Sequence, residues 1–222
     1  MSYSLRGDNS PLGVFNCIDV LHSSILKIGD GKMNRRGFYQ LEHQLKTAEI
    51  IEVVSVGVGS RVCIDFVDQL APTEGLFIGN TGHGYMLVLA ENRTTDTYPA
   101  RTFRVNGGAI HQYIMIDNNK TSYLSEIRAG QRIPIFKEDG SFREVAVGRG
   151  KIEERPLLRV VAKIDEQEIS VTIQEGDSTH LLGPQQEEIE GLSLKKGDKI
   201  LALPDTPGRH LGEKIQEHII ER

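Results

Sequence analysis

Residues 100–123 read ARTFRVNGGAIHQYIMIDNNKTSY, and the rest of the chain is organised around them. Phe103-Arg104-Val105 alternates, so a strand here turns Arg104 away from its two apolar neighbours. Asn106-Gly107-Gly108 follows. Asn and Gly tolerate positive φ, so this tripeptide predicts a turn or a bulge. Ala109 to Ile116 resumes as a strand, with His111 and Tyr113 on one face and Ile110, Ile114 and Ile116 on the other. Arg101, Arg104, Asn106, His111, Tyr113, Lys120 and Tyr123 make this the stretch densest in groups that bind an anion, move a proton or hold a carbonyl. The same periodicity also fits a half-exposed strand with ordinary polar residues outward.

Outside this stretch the texture from Glu49 onward is similar, with short β-branched runs punctuated by glycine. Strands are predicted at 50–56, 61–66, 76–78, 85–90, 102–105, 109–116, 132–136, 143–147, 157–164, 168–173 and 199–203. Asp139-Gly140 is a hairpin signal, and Gly176-Asp177 and Gly197-Asp198 mark further turns. Many short strands with close turn signals predict barrels or sandwiches rather than a parallel α/β sheet. A weak repeat points the same way: Val56–Gly59–Val62, Ile127–Gly130–Ile133 and Leu194–Gly197–Ile200 each place a turn glycine midway between two apolar residues. The expected fold is mainly β (α+β), with repeated small β-barrel-like modules and a short helical N-terminal segment. Residues 1–48 form that segment, with helices over 14–25 and 38–48, and residues 49–222 form the β-rich domain.

The totals narrow the function. At 222 residues there is length for a real core. A net charge of −5 argues against nucleic acid, which wants a basic face. Tryptophan is absent and aromatics are 6%, which leaves little for base stacking. The two cysteines, Cys17 and Cys63, form no metal-ligand pair, and Cys63 inside RVCIDF reads as a buried thiol. Two cysteines without a signal peptide predict a reducing, cytoplasmic setting, and no apolar run is long enough to span a bilayer. Gly57-Val58-Gly59 lacks the third glycine of a dinucleotide fingerprint and precedes a strand, so no nucleotide motif is legible. No HxxxH or HxH spacing shows a metal site, so metal and cofactor ligands stay unassigned.

Six blocks carry a family resemblance: GVGSRVCIDF (57–66), PTEGLFIGN (72–80), ARTFRVNGGAIHQYI (100–114), KTSYLSEIRAG (120–130), VGRGKIEERPLL (147–158) and GRHLGEKIQEHIIER (208–222). In order and content they resemble the C-terminal part of the type II, archaeal-type 3-dehydroquinate synthases. That family includes 3-amino-4-hydroxybenzoate synthases. The chain departs at Asn106-Gly107-Gly108, where the family has Asn-Ala-Gly, and at Leu211 and Glu213, where it has Phe and Met. It departs again at 173–179, and fewer residues precede the blocks than in the longer relatives.

The resemblance implies an enzyme acting on a small-molecule C7 amino-keto-hydroxy acid. NAD oxidises the amine-bearing carbon, ammonia leaves, and an internal aldol step closes 3-dehydroquinate. The alternative branch is redox-neutral, is assisted by Mn²⁺ or another divalent metal, and takes a phosphorylated substrate to 3-amino-4-hydroxybenzoate. A non-catalytic β module acting as a partner protein is the third reading. A homo-oligomer, or a separate partner supplying the region ahead of the blocks, is expected.

Either reaction wants a cation for the substrate carboxylate, with Arg104 first and Arg155 or Arg209 second. Enolisation and aldol closure want acid–base groups, and His111 and His210 titrate near neutral pH. Glu74 and Glu153 serve as base, orienter or metal ligand. Lys120 and Lys151 polarise a carbonyl or form an imine. Asn106 and Tyr123 hydrogen-bond hydroxyls or an oxyanion. His83 is expected in a surface loop, and His22, His43, His180 and His218 are expected to be structural or surface residues.

Overall fold

The computed structural model describes residues 44–221, all within one compact unit. These residues form fourteen strands and two 3₁₀ turns. The strands are β1 (Lys46–Phe66), β2 (Gly75–Gly79), β3 (Gly84–Leu89), β4 (Arg104–Ala109), β5 (Tyr113–Asp117), β6 (Lys120–Tyr123) and β7 (Arg132–Phe136), followed by β8 (Phe142–Ile164), β9 (Gln167–Gln174), β10 (His180–Leu182), β11 (Glu188–Glu190), β12 (Lys199–Pro204), β13 (Arg209–His210) and β14 (Glu213–Lys214). The mainly β expectation holds. The helix predicted over 14–25 lies outside the described residues. So does most of that over 38–48, but its last residues, Lys46–Ala48, belong to β1.

Every pairing is antiparallel. The order β1–β12–β3–β2–β7–β8 returns to β1 and makes a six-stranded ring. Its seam is thin: β2 meets β7 through the single pair Gly75↔Phe136. A side chain at Gly75 would strike the Val88 carbonyl at 2.2 Å, so only glycine lets β2 and β3 close here. Strand periodicity divides β2 and β3 between two apolar clusters. Leu76, Ile78, Met86 and Val88 join the main core with Ile50, Ile64, Val160 and Ile200. Phe77, Tyr85 and Leu87 join a smaller core with Phe136 and Leu203.

Two predicted strand pairs are each one long strand. Residues 50–56 and 61–66 both lie in β1, and residues 143–147 and 157–164 both lie in β8. Gly57, at φ +85°, absorbs a bulge between Ser55 and Gly57, so β1 continues where a break was predicted. The first copy of the repeat is therefore not a turn: Val56–Val62 is continuous strand. The other two copies are true equivalents. Leu124–Glu126 and Gly191–Ser193 are both 3₁₀ turns, followed by Gly130 at φ +86° and Gly197 at φ +94° and then by β7 and β12. Gly130 N–H donates to Val147 O on β8, and Gly197 N–H donates to Ile50 O on β1. Each long strand thus pairs along its first half with the strand that follows one of these turns. Along its second half, β1 pairs with β4 and β8 with β9.

The central stretch meets one expectation and departs from another. Asn106-Gly107-Gly108 is a bulge inside β4, with Val62 opposite Gly108 and Cys63 opposite Asn106. Residues 109–116 are not one strand. Ile110-His111-Gln112 is a turn, because the buried Gln112 amide leaves the ladder. Its Nε2 donates to Gly107 O at 3.1 Å and to Thr172 O at 2.8 Å, and Thr172 N–H donates to its Oε1 at 2.7 Å. His111 and Tyr113 therefore share no strand face. Gly108 sits at φ +89°, and an added Cβ would lie 2.1 Å from Thr172 O. Gly108→Ala is expected to destabilise the protein by about 2–3 kcal/mol, read as a lower urea midpoint at unchanged slope.

A cation-rich cavity on the β1–β8 ribbon

The antiparallel register of β1 and β8 builds the candidate site. Gly59, Arg61 and Cys63 stand opposite Arg155, Glu153 and Lys151. The two-residue period puts Lys151, Glu153 and Arg155 on one face, which is the face Arg61 shares. Asp65 stands opposite Arg104 on β4. Glu91 and Arg101, from the segment between β3 and β4, complete a cavity of about 120 Å³.

Three cations converge on one carboxylate there. Glu153 accepts from Arg61 Nη2 at 3.1 Å and from Arg155 Nη2 at 2.8 Å, and Lys151 Nζ lies 3.0 Å away. The Lys151 ammonium, then Arg61 and Arg155, hold the Glu153 carboxyl below the usual range. Arg61 is only 5% exposed, and its Nε has no partner.

Deeper in, Arg104 forms a bidentate pair with Asp65, at 2.6 and 3.0 Å, while Arg149 clamps Asp65 from the solvent side. Burial alone would raise the Asp65 carboxyl, but the hydrogen bonds from Arg104 and Arg149 outweigh it, and the group sits below its ordinary value. Arg101 Nη1 donates to Glu91 Oε2 at 3.2 Å, and its guanidinium lies over the Tyr98 ring at 4.6 Å. Asn106 is 1% exposed. Its amide donates to Gln174 Oε1 at 2.9 Å, and its own Oδ1 is unpartnered. Cys63 is buried as expected, and burial pushes its thiol up to about 11, so it stays neutral.

Of the residues predicted for the site, Arg104, Lys151, Glu153 and Arg155 line this cavity, and Asn106 lies behind it, bonded to its wall at Gln174. The others lie elsewhere. His111 lines a separate groove of about 440 Å³ with Val56, Val58 and Ile110, and burial lowers its pKa. Glu74 is a buried structural partner of Arg143, at 2.8 and 3.0 Å, and accepts from Ala71 N–H. Lys120 pairs with Glu213 at 2.7 Å on the surface, and Tyr123 stacks on Tyr113 at 5.1 Å. The Arg209 guanidinium is bonded to the Tyr85 hydroxyl and to Asp205, while His210 is exposed at the β13–β14 hairpin. Arg101, named in the central stretch, also lines the cavity, whereas sequence reasoning missed Arg61 and Glu91. Alternation within RVCIDF, read against KIEER as a partner strand, carries a signal for Arg61. Nothing local marks Glu91.

His180, beside Ser178 at the cavity rim, is buried. Burial, then the Arg93 charge, lowers its pKa to about 4. An unfolded histidine charges near 6.5, so this residue's contribution is complete above that pH and is lost as pH falls towards 4. A loss of ~2–3 kcal/mol over that window is expected in urea unfolding, and the His180→Leu variant should lack that part of the slope.

Among the described residues no cluster of three or more His, Cys, Asp or Glu is placed to hold a metal ion. No helix there is long and apolar enough to cross a membrane. Gly57 and Gly59 lie within β1, and among the described residues no glycine-rich turn leads into an α-helix.

Residues 47–222 match the family model described as the 3-dehydroquinate synthase II C-terminal domain. A "3-dehydroquinate synthase homolog" of Aquifex aeolicus is 37% identical over 179 residues, covering 81% of this chain and 54% of that protein. A "3-dehydroquinate synthase" of Methanospirillum hungatei is 39% identical over 179 residues, covering 81% and 55%. One of Methanothrix thermoacetophila is 37% identical over 205 residues, covering 92% and 56%. The chain thus spans about half the length of these relatives. No solved structure matches it.

Proposed function

Since the chain belongs to the 3-dehydroquinate synthase II family through its C-terminal domain, we propose that it acts in the ring closure of an anionic C7 amino-keto-hydroxy acid to 3-dehydroquinate. The observation that carries this reading is the convergence of Arg61, Lys151 and Arg155 on the single carboxylate of Glu153. Three cations on one anion leave an excess of two positive charges in a cavity sized for a small molecule, in a protein whose own net charge is −5. Planar guanidinium groups match a carboxylate in two-point contact. Arg155 is half-exposed and meets the substrate carboxylate first. Lys151 then faces the oxygen that gains charge when a ketone enolises, and a fixed cation there stabilises that charge more than it stabilises the ground-state ketone.

No step is assigned to NAD. The cavity residues account for substrate binding and proton movement. Turnover tests the reading. The protein is given the C7 amino-keto acid with NAD, with and without Mn²⁺, and products are followed by mass. Dehydroquinate appearing with NADH supports the reading. An aminohydroxybenzoate mass without NADH replaces it with the redox-neutral branch, and no product contradicts it.

A further inference from the structure

We propose that Glu91 is the general base of the ring closure, an assignment that rests on the reading of the cavity given above. Ring closure needs one group that takes a proton from the carbon beside a ketone and returns it to the oxygen formed. The titratable groups on and near the cavity wall narrow the choice. Glu153 is saturated by three cations, and Asp65 by Arg104 and Arg149. Cys63 is a neutral thiol, Lys151 is paired with Glu153, and His111 lies in a different groove.

Glu91 is different. It lines the cavity at 5% exposure and meets one cation, Arg101, at 3.2 Å. Its other oxygen has only a long contact of 3.5 Å from the Asn106 amide. A carboxylate has about four acceptor positions, so Glu91 retains room for a proton. Its backbone is fixed from both sides: Glu91 N–H donates to Arg104 O at 2.7 Å, and Arg101 N–H donates to Glu91 O at 2.7 Å. The base is therefore held still beside the cations that receive the substrate.

The step balances without an added reactant. A proton passes from the carbon beside the ketone to a Glu91 oxygen. The C–H electron pair forms the enolate, with its charge on the ketone oxygen. The enolate carbon then bonds to the second carbonyl carbon. The π pair of that carbonyl moves to its oxygen, which takes the proton back from Glu91.

The test compares wild type, Glu91→Gln and Glu91→Asp in two assays on the C7 amino-keto acid. One is turnover with NAD. The other is deuterium uptake at the carbons beside the ketone in D₂O without NAD, followed by NMR. Glu91→Gln should keep its melting temperature and a KM within about threefold while losing about 10²-fold or more in kcat and in exchange. Its kcat–pH profile should lose the acidic limb, and Glu91→Asp should restore part of the rate. Exchange or turnover within threefold of wild type in Glu91→Gln, or a raised KM at unchanged kcat, overturns the assignment and leaves the function reading standing. Neither exchange nor turnover by wild type overturns both.

Discussion

Asp65→Ala is expected to destabilise the protein by about 3–5 kcal/mol, the scale on which removing one member of a buried ion pair leaves the other uncompensated. Among the described residues Asp65 is the one carboxylate hydrogen-bonded to Arg104, and it also anchors Arg149. Its removal leaves a guanidinium buried against β1 without its hydrogen-bonded counter-charge. For a folded region of this size the melting temperature should fall by about 6–20 °C. Replacing Asp65 and Arg104 together by leucine should recover much of the loss, because no charge then remains buried.

The pH dependence has a fixed sign. Asp65 is held below its ordinary pKa when folded. Its contribution is therefore present above about pH 4, the unfolded value, and disappears as pH falls through the depressed folded value. Calorimetry from pH 7 down to pH 2.5 should show a steeper loss for wild type than for Asp65→Asn.

The second large effect concerns binding. Arg155→Ala and Lys151→Ala should each weaken an anionic C7 ligand by roughly 10- to 100-fold, since a charge-assisted hydrogen bond contributes about 1.5–3 kcal/mol. Glu153→Gln should act in the opposite direction and tighten binding, because it frees three cations from their shared carboxylate. Titration calorimetry with quinate reads all three, and the differences should shrink as salt rises. His111→Ala should leave quinate affinity unchanged, because His111 lies outside the cavity. Opposite signs for Arg155 and Glu153 are not expected of a general loss of structure.

What the sequence discloses here follows from range. Alternation is local, so the β character of 132–136 and 199–203 was legible, and so was the buried state of Cys63. The hairpin at Asp139-Gly140 was legible as well, because its turn chemistry sits in adjacent residues. The break predicted at 57–60 was misread, because a glycine with positive φ, here Gly57, serves a bulge within a strand as well as a turn between strands, and only the β8 register decides which. The turn at 110–112 was hidden for a related reason: Gln112 looks like any polar residue until Thr172 is placed beside it.

The site divides in the same way. Lys151, Glu153 and Arg155 announce a shared face by their spacing. That Arg61 stands opposite them depends on pairing across 92 residues. Glu91 enters only through the bridge between Ala90 and Val105, which brings the end of β3 to β4. Glu74, Lys120, Tyr123, Arg209 and His210 sit in family-like blocks, yet the fold places them away from the cavity.

Whether the cavity on β1 and β8 receives the ring is read directly by an NMR titration with dehydroquinate that follows backbone amides and arginine Nε–H signals. The largest shifts are expected on Arg61, Arg101 and Arg155 and on the amides of 151–155, saturating together, with Arg155→Ala moving saturation to roughly 10- to 100-fold higher ligand. Shifts confined to the His111 groove, or to Lys120, Tyr123 and the β13–β14 hairpin, would contradict that placement.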